Sequence, residues 1–563
     1  MLEHYGYPDV EVFDEVTSGI HLAGPAPAVP SFEPCFKPAK VSTEELARSA
    51  SASRVALLAT VRSSGDAEID ATVYEKTVEE LSCGWLAGPF EISSLPEEAV
   101  VSRRFGIRQG SGESSKIRLI DDFSASGVND TVQVENATKL HTLDIAAALC
   151  LELLRVPGKD PWLGKTFDLA SAYRQLGIAP GSYWVSYIAV YDPATSSPKI
   201  FAMRALPFGA SRSVYGFLRV AHSLWWLGCK ALKLAWSNFF DDFITFARQQ
   251  EAELVSISTL QFFKLLGWGV SLGDKDLPFA GRFKALGIEI DCTRWLEGSV
   301  AFSNTEKRVK ELISTIDEVL AAKELSKQAA LVLRGRMQFA KAQLWGRSAN
   351  LCLSAVTAHA FGSDGITLSE RTLGFLQAFR CHLARSRPRV ISAEWRAPLF
   401  LFTDASFSPE AHDWPAGIGG VLVDSHGKQI SAFSYKLENE DLETLGFPQK
   451  KTVIFEAELL ALLVAITLWK KFLRGRPCVD YIDNNSTRDV SISGTARTFP
   501  GSSLVRKLLE LEDATGMISW FARVPSQSNI ADAPSRGSLE GLTVSPLSPH
   551  LVRLAVSKCL KDL

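Results

Sequence analysis

Three aspartates are the residues of this sequence best suited to metal-dependent chemistry. Asp241 and Asp242 are adjacent in the apolar segment SNFFDDFITF, and Asp168 follows an apolar strand end in KTFDLASAYRQL. Neighbours in a strand point to opposite faces, so a continuous strand would bury one carboxylate of the pair without a partner. A β-hairpin with Asp241 and Asp242 at its turn avoids that cost.

Carboxylates held close together resist joint ionisation unless a cation neutralises them, and hard oxygen ligands select Mg²⁺ or Mn²⁺. Two such ions can activate an attacking 3′-hydroxyl and stabilise a leaving pyrophosphate. The alternative is structural, because an Asp-Asp pair also occurs in turns and helix caps. Asp168 would then be an ordinary strand-end acid.

Four more acids stand at notable positions in the C-terminal third: Asp404 after FLFT, Glu458 in the apolar helix IFEAELLALLVAI, Asp483 after VDYI, and Asp532 in SNIADAPSR. Glu458 is costly to bury unpaired, so a metal or a polar cleft is its expected partner. Glu456, two positions earlier, is expected to face solvent. Four carboxylates together suit two Mg²⁺ ions that activate water against a phosphodiester.

The elements that position the first three acids are predicted from composition and periodicity. Residues 1–70 are rich in Pro, Ala, Ser and acidic residues, which predicts a weakly ordered acidic leader. A short amphipathic helix is predicted around Thr77 to Leu86. Residues 101–300 mix strand-like and helical patterns, which indicates α+β organisation.

The following segments have a different pattern. Residues 304–360 place apolar and basic side chains at helical spacing, and a turn-rich basic segment then leads to a new domain near Ile391. That domain opens with the predicted strands PLFLFTDAS and AGIGGVLVD. A helix from about Thr452 to Leu473 and a strand ending in Asp483 follow.

Bulk composition excludes several classes of protein. The 563 residues imply three or four domains, and 46% hydrophobic with 22% charged residues is ordinary for a soluble globular protein. The longest apolar stretch, Ala457 to Trp469, is too short to span a bilayer, and the acidic N-terminus lacks the pattern of a signal peptide. Nine scattered cysteines without a C-x-x-C pair indicate a reducing compartment, cytoplasmic or nuclear, and disfavour zinc.

Net charge permits a nucleic-acid partner without indicating one. The whole chain carries −3, but residues 1–100 contain 6 basic and 17 acidic residues, so the remainder is mildly basic. A strongly basic balance, which by itself would point to nucleic acid, is not present.

Six segments in order resemble the motifs of reverse transcriptases, especially those of gypsy-like and DIRS-like retrotransposons. The segments, within residues 116–290, are KIRLIDDFSASGVND, FDLASAYRQL, RALPFGASRSVYGFLR, SNFFDDF, LLGWGVSLGDKD and FKALGIEI. The resemblance implies a right-hand polymerase of fingers, palm and thumb, in which Asp168, Asp241 and Asp242 hold two metal ions. The backbone of Leu169 would assist them.

The same resemblance implies residues that bind the incoming nucleotide. Lys116 and Arg118 match positive residues that grip the triphosphate, and Gly209 lets the backbone approach nucleotide or template. Tyr173 matches the steric gate that excludes a 2′-hydroxyl, and Lys275 matches a proton donor to pyrophosphate. The alternatives are a core tyrosine at 173 and solvated surface lysines at 116 and 275.

The C-terminal third resembles the ribonuclease H fold through TDAS, AEL, DN and N-x-A-D, which carry Asp404, Glu458, Asp483 and Asp532 in that order. Many members of that family have a histidine shortly before the last aspartate, and the segment ARVPSQSNIAD lacks it. DIRS-like enzymes share this feature, so we expect a reduced dependence on that residue. The alternative is a structural remnant that only tethers nucleic acid.

The sequence thus predicts an α+β multidomain chain: a right-hand polymerase followed by a ribonuclease H-like α/β domain. The predicted segments are a weakly ordered acidic leader (1–70), fingers and palm (71–300), a helical thumb and connection (301–390), a ribonuclease H-like domain (391–540) and a C-terminal tail (541–563).

The predicted function is RNA-directed DNA polymerisation with ribonuclease H cleavage, using Mg²⁺ or Mn²⁺ with two ions per site. The expected partners are an RNA template, a DNA primer, the RNA–DNA hybrid and dNTP, with no membrane partner. One alternative is a domesticated, non-catalytic nucleic-acid-binding protein, and another retains only nuclease activity. Oligomeric state, primer and template preference stay open.

Overall fold

The computed structural model describes residues 1–109, 116–273, 276–343, 347, 349–363, 365–385, 388–394, 396–411 and 414–561. The chain divides into two compact units, Met1–Val300 (unit 1) and Ala301–Leu563 (unit 2). Each unit combines helices with β-sheet, which confirms the predicted mixed, multidomain organisation.

Unit 1 alternates short helices and strands along the chain. Its helices are α1 (Val12–Ser18), α2 (Thr43–Leu58), α3 (Ala67–Ser82), α4 (Leu143–Leu154), α5 (Ser211–Ala231) and α6 (Ala252–Leu265). Its strands are β1 (Glu33–Lys37), β2 (Leu86–Phe90), β3 (Val101–Gln109), β4 (Lys116–Asp122), β5 (Val134–Ala137), β6 (Trp162–Asp168), β7 (Tyr187–Asp192), β8 (Ser197–Met203), β9 (Ala235–Phe239), β10 (Asp242–Arg248), β11 (Arg282–Ala285) and β12 (Ile288–Asp291).

Two sheets of unit 1 position the residues of interest. One has the strand order β2-β8-β7-β3-β4, with β7 and β3 parallel and the other neighbours antiparallel. The other is antiparallel in the order β6-β10-β9. Both sheets and α5 contribute to one apolar core, in which Phe167, Phe201, Phe217 and Phe243 are at most 1% exposed.

The prediction of a weakly ordered leader over residues 1–70 is wrong. This segment contains α1, β1 and α2, and the side chains of Tyr7, Val12, Ile20 and Leu22 belong to the main core of unit 1. The apolar residues are too widely spaced to give a periodic pattern. They are buried by contacts with distant parts of the chain, which local periodicity cannot show.

The amphipathic helix predicted around Thr77 to Leu86 is present, but as α3 it begins earlier and ends earlier. Its N-terminus is fixed by Asp66, whose carboxylate accepts hydrogen bonds from the N–H groups of Glu68 and Ile69. A short polar side chain before the first turn is a typical helix start signal.

Unit 2 begins helical and ends in a sheet with flanking helices. Its helices are α7 (Glu306–Ala322), α8 (Lys327–Gln343), α9 (Asn350–Phe361), α10 (Glu370–Arg385), α11 (Asn439–Leu445), α12 (Ile454–Leu473), α13 (Asn485–Ser493), α14 (Phe499–Thr515), α15 (Asp532–Ser535) and α16 (Pro549–Leu560). Its strands are β13 (Ser299–Asn304), which starts at the unit boundary, β14 (Arg389–Ser392), β15 (Leu399–Phe407), β16 (Ala416–Val423), β17 (Gln429–Lys436), β18 (Pro477–Ile482) and β19 (Ile518–Arg523).

The main sheet of unit 2 has the order β17-β16-β15-β18-β19. The first three strands are antiparallel, whereas β15, β18 and β19 run parallel. Helix α12 contacts β15 and β16 on this sheet and also α14 and α16, so most of its side chains are buried. An apolar helix of this kind is stable only with neighbours on several sides. No helix in the described part of the chain could span a membrane, α12 included.

The segment 541–563 is not a free C-terminal tail, which corrects that prediction. It carries α16, whose side chains Val552, Ala555 and Val556 lie in the core shared with α12. The Cys559 thiol lies 3.5 Å from the Thr467 hydroxyl of α12. The helix therefore completes the cover that α12 requires.

Candidate active sites

The first site lies at one end of the antiparallel sheet β6-β10-β9. Asp168, the last residue of β6, stands directly opposite Asp242, the first residue of β10. Opposite residues on neighbouring strands carry side chains on the same face of a sheet, so these two carboxylates share a face. Asp241 lies with Phe240 in the turn between β9 and β10.

The turn is tied to the strand that carries Asp168. The Leu169 N–H donates to the carbonyl oxygen of Asp241 at 3.1 Å, and the Ser271 N–H donates to the carbonyl oxygen of Asp168 at 2.7 Å. Phe240 has a φ of +52°, which a non-glycine residue adopts only under constraint. The predicted hairpin is therefore present, and its turn brings Asp241 next to Asp168 and Asp242. We call these three acids the first carboxylate site.

Tyr173 lies close to this site. Its ring is 6% exposed, stacks on Phe217 with centroids 4.7 Å apart, and contacts Phe208 at the same centroid distance. Burial, and after it the negative charge of Asp241, raises the pKa of the Tyr173 phenol. The phenol is therefore neutral at physiological pH, and it lies within electrostatic reach of Asp241.

Gly209 is a position where only glycine fits. Its φ is +98°, and a Cβ atom there would lie 2.2 Å from the carbonyl oxygen of Asp121 in β4. The Asn129 side-chain amide also donates to the Gly209 carbonyl oxygen at 2.9 Å. The absence of a side chain thus lets the segment Leu206–Gly209 pack directly against the end of β4.

The predicted triphosphate-binding residues are only partly placed. Lys116 and Arg118 lie exposed on β4, where the Arg118 guanidinium donates to the Gln109 side chain of β3 at 2.5 Å. Lys275 lies outside the described residues. The structure therefore puts the two cations on the strand that ends beside Gly209.

The second site gathers Asp404, Glu458 and Asp483 from three elements. Asp404 lies within β15 rather than at its end, Glu458 lies on α12, and Asp483 follows β18. One carboxylate oxygen from each acid lies within 4.8 Å of the others. We call these three acids the second carboxylate site. The parallel pairing of β15 with β18 brings Asp404 and Asp483 to the same end of these two neighbouring strands. Helix α12 packs across β15.

Hydroxyl groups hold two of these acids. The Ser535 hydroxyl donates to Asp404 Oδ2 at 2.7 Å, and the Ser526 hydroxyl donates to Asp483 Oδ2 at 2.8 Å. Neither serine was singled out from the sequence, although both lie in the segment that carries Asp532. The sequence signal that could have identified them is the presence of short hydroxyl side chains close to the acidic motif of Asp532.

Electrostatics at the second site reflect crowded negative charge. Burial raises the pKa of Asp404 to about 7, the Ser535 hydrogen bond opposes the shift, and Asp483 and Asp532 add to it. Burial, followed by the charges of Asp404 and Asp483, raises the pKa of Glu458 well above its ordinary value. These shifts mean that the site does not ionise fully without a compensating cation.

The residues of the second site fit a divalent cation. Glu458 Oε2 and Asp483 Oδ1 are buried and have no hydrogen-bond partner among the described residues. Buried carboxylate oxygens without donors are costly, and they are the ligands that Mg²⁺ and Mn²⁺ prefer. The donor set is all oxygen, which disfavours a zinc site.

Asp532 stands beside the group of three rather than in it. Its carboxylate binds the Arg536 guanidinium at 3.1 Å, with the Arg536 side chain 60% exposed and the Asp532 side chain 37% exposed. Its charge still contributes to the raised pKa of Asp404. The structure thus assembles three of the four predicted acids and places the fourth at the edge.

The prediction that Glu456 faces solvent is wrong. Glu456 is 3% exposed, and its Oε1 atom accepts hydrogen bonds from Lys450 Nζ at 2.6 Å and from the Thr498 hydroxyl at 3.1 Å. Helix α12 is covered on several sides, so helical spacing does not identify a solvent-facing position. Glu456 is a paired structural carboxylate, unlike Glu458.

No protein-family model and no curated protein matches the chain. Among solved structures, a foamy viral protease-reverse transcriptase dRH in complex with double-stranded DNA aligns with a TM-score of 0.45 and 16% identity, over 82% of this chain and 70% of that one. A foamy viral protease-reverse transcriptase with an RNA/DNA hybrid has a TM-score of 0.43 and 16% identity, over 92% and 60%. Another with double-stranded DNA has the same TM-score and identity, over 93% and 94%. The functional assignment rests on the two carboxylate sites, not on these likenesses.

Proposed function

We propose that the chain is an RNA-directed DNA polymerase of a retroelement with ribonuclease H activity, acting on a primed RNA template. The observations that support the proposal are that unit 1 sets Asp168 opposite Asp242 on neighbouring strands, and that unit 2 gathers Asp404, Glu458 and Asp483 from segments distant in sequence. Two separate sites suit two reactions on one nucleic acid: polymerisation in unit 1 and cleavage of the RNA strand in unit 2.

The domain scheme is part of the proposal. Residues 71–300 would form fingers and palm, residues 301–390 the thumb and connection, and residues 391–540 the ribonuclease H-like domain. The helices α7 to α10 supply the helical content that a thumb and connection require. Residues 1–70 pack on the core of unit 1 and would support the palm.

Both sites would hold Mg²⁺ or Mn²⁺, two ions each. Asp168, Asp241 and Asp242 would bind them in unit 1, and Asp404, Glu458, Asp483 and Asp532 in unit 2. When bound there, such ions would supply activation of the 3′-hydroxyl and stabilisation of the leaving pyrophosphate at the first site, and activation of water at the second.

Other residues of unit 1, outside the first carboxylate site, bind and orient dNTP. Lys116 and Arg118 on β4 would bind the triphosphate, because their charges complement phosphate. The Leu169 backbone would assist the metal ions, Gly209 would let the backbone approach nucleotide or template, and the ring of Tyr173 would exclude a ribose 2′-hydroxyl by contact. Lys275 would donate a proton to pyrophosphate.

At the second site the hydroxyls fix the acids. Ser535 orients Asp404 and Ser526 orients Asp483, so both carboxylates have a defined position before the hybrid binds. Arg536 holds Asp532 at the edge of the group. Preorganised carboxylates lose little energy to rearrangement during the reaction.

The test is extension of a DNA primer on an RNA template with Mg²⁺, together with cleavage of a labelled RNA–DNA hybrid. Asp242→Asn should lower dNTP incorporation by at least about 100-fold and leave RNA cleavage intact, because it removes one charge from the first site only. Glu458→Gln is the matched control and should give the opposite pattern.

Two outcomes would contradict the proposal in different ways. Binding of the hybrid without any Mg²⁺-dependent incorporation or cleavage would identify a non-catalytic nucleic-acid-binding protein. RNA cleavage that depends on Glu458, without polymerisation under any condition, would identify a nuclease only.

A further inference from the structure

Four charged side chains form a buried network in unit 1 that the proposed reaction does not use directly. They are Arg104 on β3, Asp121 on β4, Glu80 on α3 and Arg174 in the 3₁₀ turn Ala172–Gln175. Arg104 and Arg174 are 2% and 7% exposed. Two positive and two negative charges balance, which is the condition under which buried charge is tolerated.

The contacts of the network are direct. Arg104 donates two parallel hydrogen bonds to Asp121, at 2.7 and 3.0 Å, and a third to Glu80 Oε2 at 2.7 Å. The other oxygen of Glu80 accepts from the Arg174 guanidinium at 2.6 Å. Although burial lowers the pKa of Arg104, Asp121 and Glu80 outweigh that effect and raise it. Glu80 therefore bridges two arginines that come from different parts of the sequence.

Arg174 also reaches the segment that carries Phe208. Its guanidinium donates to the carbonyl oxygen of Leu206 at 3.2 Å, and the Leu206 N–H donates to the Leu176 carbonyl oxygen at 2.9 Å. Tyr173 is the residue before Arg174, and its ring contacts that of Phe208 at 4.7 Å. The Arg174 guanidinium thus links the turn that carries Tyr173 to the segment that carries Phe208.

The turn that carries Tyr173 has a strained backbone conformation, which contacts from outside the turn must hold in place. Ser171 adopts a φ of +49°, a left-handed conformation that persists in a non-glycine residue only when surrounding contacts impose it. The bond from Arg174 to Glu80 ties this turn to α3, and the bond from Arg104 to Glu80 ties α3 to β3. The bonds from Arg104 to Asp121 then tie β3 to β4, the strand that carries Lys116 and Arg118.

We propose that Arg174, held by Glu80 and Arg104, is a positioning residue that sets Tyr173 against Phe208 and thereby determines the selection of deoxyribonucleotides over ribonucleotides. The inference rests on the proposed polymerase function. Arg174 acts through Tyr173 and Leu206 rather than by touching substrate. Exclusion of one hydroxyl requires a ring fixed to well under 1 Å, so a loosened turn admits the larger sugar.

The experiment measures single-nucleotide extension of a DNA primer on RNA with dATP or ATP, for wild type and Arg174→Gln. The variant should lose between about 10-fold and 100-fold in the dATP/ATP ratio of kcat/KM, with most of the change in KM and in ATP use. Glu80→Gln should change the ratio in the same direction. Arg174→Lys keeps the charge and should restore part of the selectivity.

Arg54→Gln is the matched control. Arg54 is a buried arginine of unit 1 whose guanidinium donates to the carbonyl oxygens of Pro96 and Ala99, with no described contact to Tyr173 or Phe208. It should lower stability without changing the dATP/ATP ratio. The thermal unfolding transition of unit 1, followed by circular dichroism, reports that each variant is folded.

The outcomes separate this inference from the proposed function. A wild type that extends primers with either nucleotide but shows the same selectivity as Arg174→Gln overturns the inference alone, as does an equal loss in Arg54→Gln. A wild type without incorporation overturns both. Should Arg174→Gln not fold, unchanged selectivity in Arg174→Lys and Glu80→Gln would overturn the inference.

Discussion

At the scale of single residues, α12 carries two buried glutamates whose charged surroundings are opposite in sign. Glu456 is paired with Lys450, so its charge is compensated within the fold. Glu458, two residues later, is equally buried and lies among other carboxylates, with one oxygen lacking any described donor. A buried carboxylate in such surroundings lowers the stability of a fold. A divalent cation, as proposed for this site, would remove that cost.

Replacing Glu458 should therefore stabilise the protein in the absence of metal. Glu458→Gln replaces a buried carboxyl group, which folding must either protonate or leave uncompensated, with a neutral amide of nearly the same volume. The Tm without divalent cations should therefore rise by about 2–4 °C. Mg²⁺ should raise the Tm of the wild type, because a ligand that binds the folded state stabilises it. The variant should lose most of this response, as measured by calorimetry in EDTA and in Mg²⁺.

Glu456→Gln serves as the control for this measurement. It leaves Lys450 with a neutral partner, so its Tm without metal should fall, while the response to Mg²⁺ is retained. A Glu458→Gln variant that is less stable than wild type in EDTA would contradict the assignment of Glu458 as a metal ligand.

At the scale of elements, the N-terminal segment is attached to α5 by buried ion pairs. The Arg219 guanidinium of α5 donates to both oxygens of Asp9, at 2.6 and 2.5 Å, and also pairs with Glu15 at 3.1 Å. Glu15 is shared with Arg212 at 3.2 Å. Two buried arginines thus depend on two carboxylates from the first 15 residues, and the segment is part of the fold of unit 1.

Asp9→Asn should accordingly destabilise unit 1 strongly. The substitution leaves the buried charges of Arg219 and Arg212 with Glu15 as their described carboxylate partner, which should lower the free energy of unfolding by about 3–5 kcal/mol. Urea denaturation monitored by tryptophan fluorescence measures the change. Glu152→Gln, which breaks the exposed pair with Arg155, should change it by less than about 1 kcal/mol. Equal effects of the two substitutions would show that the N-terminal attachment is not structural.

Some elements of the fold could be predicted from the sequence, and others could not. The hairpin at Asp241 and the helix carrying Glu458 were predicted, because a charge inside an apolar run or helix is a local signal. The order of residues 1–70 and the packing of α16 were not predicted, because both depend on partners far away in sequence. The buried state of Glu456 was missed for the same reason, since the charge of Lys450 and the hydroxyl of Thr498 reach its carboxylate only in the folded chain.

At the scale of the whole molecule, buried titratable groups give the two units opposite responses to acid. In unit 1, burial lowers the pKa of both His141 and His222 to about 4, and the positive charge of Lys139 adds to the shift in each case. In unit 2, burial raises the pKa of Asp480 to about 7, with Glu512 adding to the shift and Cys478, Ser519 and Arg347 opposing it. Neither set of groups belongs to the carboxylate sites.

The sign of each effect follows from proton linkage. The two histidines bind protons near pH 6.5 when unfolded but only near pH 4 when folded, so unit 1 loses stability as the pH falls between these values. Asp480 binds its proton near pH 7 when folded and near pH 4 when unfolded, so unit 2 gains stability over the same range. One pKa unit corresponds to about 1.4 kcal/mol, so each effect amounts to a few kcal/mol.

Thermal unfolding between pH 7 and pH 4.5 should therefore lower the transition temperature of unit 1 relative to that of unit 2. We expect the transition of unit 1 to fall by several degrees and that of unit 2 to fall less or to rise, because carboxylates elsewhere oppose the contribution of Asp480.

Asp480→Asn removes the titrating group and should abolish the relative gain of unit 2. His141→Gln with His222→Gln should flatten the response of unit 1, since neutral amides do not bind protons in this range. Parallel shifts of both transitions in the wild type, unaltered by either set of substitutions, would show that these buried groups do not control acid stability.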